Sequence, residues 1–237
     1  KKHIVMPDGT GIWLNADSRL SYNNEFAYKN REVWLEGEAL FEVKKDAEIP
    51  FTVQAQGITV SVLGTEFNIQ AYKNEPDVQT TLISGKVQVS LNKDPGKKII
   101  LSPREKLTVM REENTMENSS ADSTGREKSK RLPLIPEANE LKYQVQTLPV
   151  NPADSNFFTE TAWVDNKLAF VYEPFSEVTK KMERRYGVHI LFKDDGLKKV
   201  VMSGVFDKET VNQALQVLQM ITHFNYQAKG DSIYLYK

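Results

Sequence analysis

No cysteine occurs in the 237 residues, which removes thiol catalysis, disulfide staples and the common structural zinc sites from consideration. The compartment stays open, because an oxidising space permits disulfides without requiring them. An excess of charge is missing too. Thirty-one Lys and Arg stand against 32 Asp and Glu, a formal net charge of -1, so nothing draws the chain broadly to DNA or to an acidic membrane face. No apolar run approaches the ~20 residues that span a bilayer, and Lys1-Lys2-His3-Ile4 leads into strand-like sequence with no signal-peptide core. Since the first residue is not methionine, an excised soluble piece of a longer protein is expected. Histidine is scarce: His3, His189 and His223 stand in no i, i+4 pair or His-Glu-x-x-His pattern. Metal catalysis is therefore not expected, and the chain is read as having no cofactor.

Hydrophobic residues make up 40% of the chain, ordinary for a folded protein, and the length favours two modest domains over one core. From Ile4 to Met110 short alternating segments are broken by turn residues at Asp8-Gly9, Asn23-Asn24, Gly37, Gly57, Gly64, Gly85 and Asp94-Pro95-Gly96. Many short strands are implied. In Arg31 to Val43, residues Val33, Leu35, Ala39, Phe41 and Val43 fall on one face if Gly37 marks a bend. Val60 to Tyr72 reads as two strand halves meeting at Gly64-Thr65. Val78 to Ile83 and Lys86 to Leu91, separated by Ser84-Gly85, read as a hairpin. An all-β sandwich and a solenoid-like roll both satisfy this pattern. Outward Glu36, Glu42 and Lys44 would blunt strand edges.

Composition changes at 111–161, which is polar, aromatic-poor and dotted with prolines; we read it as a partly ordered linker between a β domain (1–110) and a second domain (162–237). Within the linker, Leu141 to Leu148 alternates and can add a strand. After it the period lengthens. A strand over Lys167 to Tyr172 precedes a helix whose stripe is Phe175, Val178, Met182 and Tyr186, ended by Gly187. Two strands follow, then a helix capped by Thr210 carrying Val211, Ala214, Leu215, Leu218 and Ile221 on one side, then a hairpin around Lys229-Gly230-Asp231. The order is β-α-β-β-α-β-β, a small α+β sheet.

Few residues carry chemistry. Glu36, Glu38 and Glu42 evoke paired carboxylates, but their spacing suits a solvated strand face better. Gly230-Asp231-Ser232 reads as a turn, not a nucleophile elbow. Arg184 and Arg185 read as a salt-bridged surface with Glu177 and Glu183. No catalytic, cofactor or metal residue is assigned, and an enzyme is not expected. In Ser232 to Tyr236, Ile233 and Leu235 face the core and leave Tyr234 and Tyr236 outward. Those two tyrosines are the candidate partner-binding residues, on a terminal strand whose backbone would be open to strand addition unless the linker or first domain covers it.

Several motifs in order resemble the extracytoplasmic region of FecR-family transmembrane anti-sigma factors. In the first half they are Pro7-Asp8-Gly9, Trp13-Leu14-Asn15-Ala16, Gly37-Glu38-Ala39, Phe41-Glu42-Val43, Leu63-Gly64-Thr65-Glu66-Phe67-Asn68 and Gly85-Lys86-Val87. In the second they are Trp163, Leu168, Phe170, Val178, Glu183-Arg184, Tyr186-Gly187, Ser203-Gly204 and Ala214-Leu215, which resemble the secretin and TonB short N-terminal domain. Arg104 stands where the family usually has glycine, so a type I turn is expected there. Arg185 stands where an aromatic is common. The resemblance implies a periplasmic sensor anchored in the inner membrane by an upstream helix absent here, with a sigma factor held by an absent cytoplasmic segment. Its implied partner is the N-terminal signalling domain of an outer-membrane TonB-dependent transducer; nucleic acid is not a partner. The rival expectation is a carbohydrate-binding or carbohydrate-active β domain of a surface glycan-utilisation system, motivated by Trp13, Trp34 and the scattered acids.

Overall fold

The structure is a computed structural model that describes residues 1–111, 142–150 and 154–237. Twelve strands of the described residues make one curled sheet. They are β1 (Lys2–Val5), β2 (Gly11–Leu14), β3 (Arg19–Tyr22), β4 (Arg31–Glu42), β5 (Phe51–Ala55), β6 (Ile58–Val62), β7 (Glu66–Ala71), β8 (Asp77–Ser84), β9 (Val87–Leu91), β10 (Asp94–Leu101), β11 (Glu105–Met110) and β12 (Tyr143–Thr147). The sheet runs β10-β9-β6-β5-β4-β7-β8-β11-β12, with β3 and β2 also on β4, and β1 on β2.

Strand β4 organises the curl. Its first half pairs with β3 and, in parallel, with β5; its second half pairs with β2 and β7. The change of partners falls at Gly37, whose φ of +100° suits a residue with no Cβ. Ser18 packs directly against it, and a Cβ there would lie 2.6 Å from Ser18 Cα. The chain crosses between the two halves again at Gly64, between β6 and β7, and at Gly85, between β8 and β9. These crossings touch: Thr65 Oγ1 donates to Lys86 O at 2.9 Å, and Val43 N donates to Thr65 O at 3.0 Å. The expected hairpin around Ser84-Gly85 therefore does not form; β8 pairs with β7 and β11, whereas β9 pairs with β6 and β10. Nor does β4 need blunting by Glu36 and Glu42, since it is bonded on both sides.

The fourth crossing, from β10 to β11, corrects another expectation. Glu105 N bonds Ser102 O at 3.0 Å, with Pro103 and Arg104 at the turn's centre, and Arg104 has φ +69°. This is the type II arrangement, not type I. The left-handed conformation costs an L-residue ~1–2 kcal/mol, offset here because the guanidinium donates to Ser155 O at 2.6 Å and Pro149 O at 2.9 Å and covers the Phe158 ring. The linker's last part is thus fastened to the β body, and β12 adds to the sheet beside β11 as the alternation of residues 141–148 suggested.

Between the sheet halves lies one core. Val33, Leu35, Ala39, Phe41 and Val43 are buried in it as their spacing predicts, with Val60, Val62, Phe67 and Ile69. Phe41 stacks on Phe67 at 5.0 Å between centroids.

A second core fills the other body, built from β13 (Leu168–Pro174), α1 (Phe175–Tyr186), β14 (His189–Phe192), β15 (Val201–Phe206), α2 (Val211–Thr222), β16 (Asn225–Lys229) and β17 (Ser232–Tyr236). The element order is the one read from the sequence, but the strands form two sheets, β13-β15 and β14-β17-β16. Phe175, Val178 and Met182 of α1 are buried, and Gly187 closes the helix with φ +66°. On α2, Thr210 and Gln213 form a reciprocal capping box, and Ala214, Leu215 and Leu218 are buried. Ile221 is not part of that stripe; it is 64% exposed.

Candidate functional site

Two places gather side chains that the cores do not consume. The first is the outer face of β14-β17-β16. Parallel pairing of β14 with β17 sets Leu191 beside Tyr234, and antiparallel pairing with β16 sets Gln227 beside Tyr234 and Asn225 beside Tyr236. Ile233 and Leu235 point into the core, so the alternation puts Tyr234 and Tyr236 outward. Tyr236 is 42% exposed, and Leu191, beside Tyr234, is exposed too; Lys193 Nζ sits 4.9 Å from the Tyr234 ring centroid. The backbone, however, is spoken for. Strand β17 lies in the middle of its sheet, bonded on both sides, so the expectation of strand addition at a free terminal strand is corrected. A strand that is last in sequence need not be last in a sheet.

The second place is the junction of the two bodies. Helix α1 turns Phe175, Val178 and Met182 inward, and its opposite face, with Glu177, Lys181 and Arg184, borders a cleft of about 560 Å³ whose other wall includes Glu38, Gln70 and Gln79. Arg184 crosses the gap. Its Nη1 donates to Glu75 Oε1 at 2.6 Å, and the guanidinium lies 4.1 Å from the Tyr72 ring centroid. The side chains of Arg184 and Glu75 are 11% and 2% exposed. The reading of Arg184 as a surface residue paired with Glu177 or Glu183 is therefore corrected: Glu177 bonds Lys180, and Glu183 accepts from Ile190 N at 2.7 Å.

The acceptor loop is held rigidly. Arg111 Nη1 donates to Lys73 O and Glu75 O, both at 2.7 Å, and Gln70 Nε2 donates to Glu75 Oε2 at 2.6 Å. Tyr72 donates its hydroxyl to Ala16 O at 3.1 Å, and burial, with the nearby Glu38 charge, pushes its phenol well above the ordinary range. Glu38 itself is 6% exposed and accepts from Asn15 at 2.7 Å and Asn68 at 3.1 Å. Burial raises its pKa, against the opposing pull of Arg184, the two amides and Lys181. Nearby, Lys106 pairs with Glu160 at 3.0 Å and Lys181 with Glu173 at 2.6 Å. Burial by itself would raise the Glu160 carboxyl, but Lys106 and the hydrogen bonds it receives hold it below the usual value.

Glu38 is one of the site residues that the sequence does not reveal. It alternates with Ala39 like a solvent-facing strand residue, but Asn15 and Asn68 of the β body bond it and Arg184 and Lys181 of α1 stand across the cleft. Glu42 stays exposed and accepts from Trp13 Nε1 at 3.2 Å, and the Trp13 ring also packs at a tilt against His3, 4.4 Å between centroids. Trp34 is half-exposed in a shallow recess with Arg19, Glu36 and Gln54. Among the described residues no three His, Asp or Glu side chains converge as a metal site, and no described helix is long and apolar enough to cross a membrane.

Family models place these two bodies. One for the FecR protein matches residues 1–88, and one for the FecR C-terminal region matches 167–235. Two crystal structures of a candidate anti-sigma factor from Parabacteroides distasonis ATCC 8503, at 1.65 Å and 2.50 Å, are 27% identical in sequence. They superpose with TM-scores of 0.77 and 0.76, covering all of this chain and 94% and 93% of theirs. No curated protein matches. Anti-sigma factors are regulators rather than enzymes and act on a sigma factor. With both bodies matched in order and the whole chain superposed, the chain belongs to the FecR family of anti-sigma factors.

Proposed function

We propose that this chain is the periplasmic sensor region of a transmembrane anti-sigma factor. It relays a signal from an outer-membrane TonB-dependent transducer to a cytoplasmic ECF-type sigma factor held by a separate segment of the same protein. The observation that carries the reading is the outer face of β14-β17-β16, where Leu191 and Tyr236 lie exposed beside Tyr234 on a well-supported sheet. Tyrosine offers a large contact area with few rotamers to freeze, which suits a protein contact better than solvent. The partner is the transducer's N-terminal signalling domain, and its binding favours one arrangement of the sensor, with coupling of typically ~1–3 kcal/mol.

Calorimetric titration of this chain with such a signalling domain tests the proposal. Deleting β17 would strip Ile233 and Leu235 from the core, so the useful variants are Tyr234→Ala and Tyr236→Ala, which leave the strand intact. Together they are expected to weaken binding by ~2 kcal/mol or more, about thirtyfold in Kd. Unchanged affinity in both variants would refute this face as the contact.

A further inference from the structure

We infer that Arg184 is the positioning residue that fixes the second body on the first, and that its seat on Tyr72 and Glu75 is a reversible latch setting which way the Tyr234 and Tyr236 face points. Three observations converge on Arg184. It projects from the last turn of α1, on the side away from the second core, so it contributes nothing to packing its own body. Its partners, Tyr72 and Glu75, belong entirely to the loop between β7 and β8 of the other body. That loop is itself clamped by Arg111 on its carbonyls and by Gln70 on the far oxygen of Glu75, so the socket is preformed.

The composition of the junction makes the latch releasable. Where the two bodies meet, the contacts are polar: Arg184 with Glu75 and Tyr72, Lys1 Nζ with Val164 O, and Glu38 with Arg184 and Lys181 in its field. Most of the buried apolar side chains belong to one or other of two separate cores, and those outside both, such as Leu40, Ala162 and Ala169, are few. Interfaces of this polar kind between domains permit relative motion, whereas a shared apolar core would not. A single bidentate-capable, stacked guanidinium is also demanding in geometry, so the docked state is one orientation rather than a range. The Lys106–Glu160 pair, Arg104 and the Lys1 Nζ bond to Val164 O fasten the connecting segment to the β body just upstream, leaving a pivot only between Asp165 and the start of β13. The regulatory meaning of the latch rests on the proposed sensor function; the latch itself does not.

The chain's lack of cysteine makes the test direct. Cysteines introduced as Lys86→Cys, on the β body, and Lys229→Cys, in the β16-β17 turn, can be spin-labelled and the distance between them measured by pulsed electron resonance without any partner. The latch predicts one narrow distance. It predicts loss of that narrow peak in Arg184→Glu and in the neutral Arg184→Gln, with far-UV dichroism unchanged because neither touches a core. It further predicts recovery of a narrow peak when Arg184→Glu is combined with Glu75→Arg. A narrow, unshifted peak in both single variants, or no recovery in the charge swap, would overturn the latch. Repeating the measurement with a transducer signalling domain separates the two claims: a normal latch with no response to partner would count against the sensor reading alone.

Discussion

The β body and the α+β body meet the same requirement, burial of apolar surface, with different thoroughness. In the β body the side chains at the sheet crossings interlock, and Phe41, Phe51 and Phe67 are fully buried between the halves. The second body is smaller and, for its size, leaves more uncovered. Strands β13 and β15 bond only to each other, Val201 and Val205 are exposed on that ribbon, and Met220 on α2 is 78% exposed. A finished platform beside a body with apolar surface to spare is the division expected where one part holds shape and the other meets a partner.

Breaking the platform is expected to have the largest effect. Phe41→Ala removes a side chain with no exposure that stacks on Phe67, and should cost ~3–5 kcal/mol in urea unfolding; a cost comparable to a surface change would show that the β body is not the rigid half. Gly37→Ala comes next. Its Cβ would meet Ser18 Cα at 2.6 Å in a left-handed conformation, so destabilisation greater than ~1 kcal/mol is expected, measured as a lower denaturant midpoint with unchanged slope. Unaltered stability would mean that the partner change in β4 does not depend on glycine.

The junction sharpens the comparison through pH. Burial raises the Glu38 pKa in the folded chain, so the folded state holds its proton more tightly than the unfolded one. The stability this contributes is complete below the unfolded value near 4.5 and is lost as pH rises through the folded value. Glu160 acts oppositely: its lowered pKa contributes stability above 4.5 that is lost as pH falls. Glu38→Gln should therefore remove a decline in thermal midpoint between pH 4.5 and neutrality that the parent chain shows, and identical pH profiles would contradict this. The smallest effect is expected at Met220→Ser, within ~0.5 kcal/mol of the parent in stability, because Met220 meets solvent rather than the core. A large loss would mean that α2's outer face is already covered within the chain.

Local periodicity made the building blocks legible. The buried rows in β4, β6 and β7, the α1 stripe and the closing hairpin follow from alternation or helical spacing, because each side chain's direction is set by its own backbone. Pairing across distance was not legible. Nothing near Ser84-Gly85 says that β8 and β9 part company, since the reason is the meeting of Gly85 with Thr65 and Gly64. Arg104 reads as a poor left-handed residue until Ser155, Pro149 and Phe158 close around it. Alternation alone turns Tyr234 and Tyr236 outward, whereas β17's central position depends on where β14 lands. Glu38, Glu75 and Arg184 are illegible as a group for a common reason: each looks like a solvated charge beside its sequence neighbours, and its partners come from segments distant in the chain.

Hydrogen-exchange mass spectrometry of this chain, alone and saturated with a transducer signalling domain, tests the central claim most directly. Added protection over His189–Phe192 and Asn225–Tyr236, with the strands of the β body unchanged, is the expected result. Protection confined to Lys2–Met110 would contradict it.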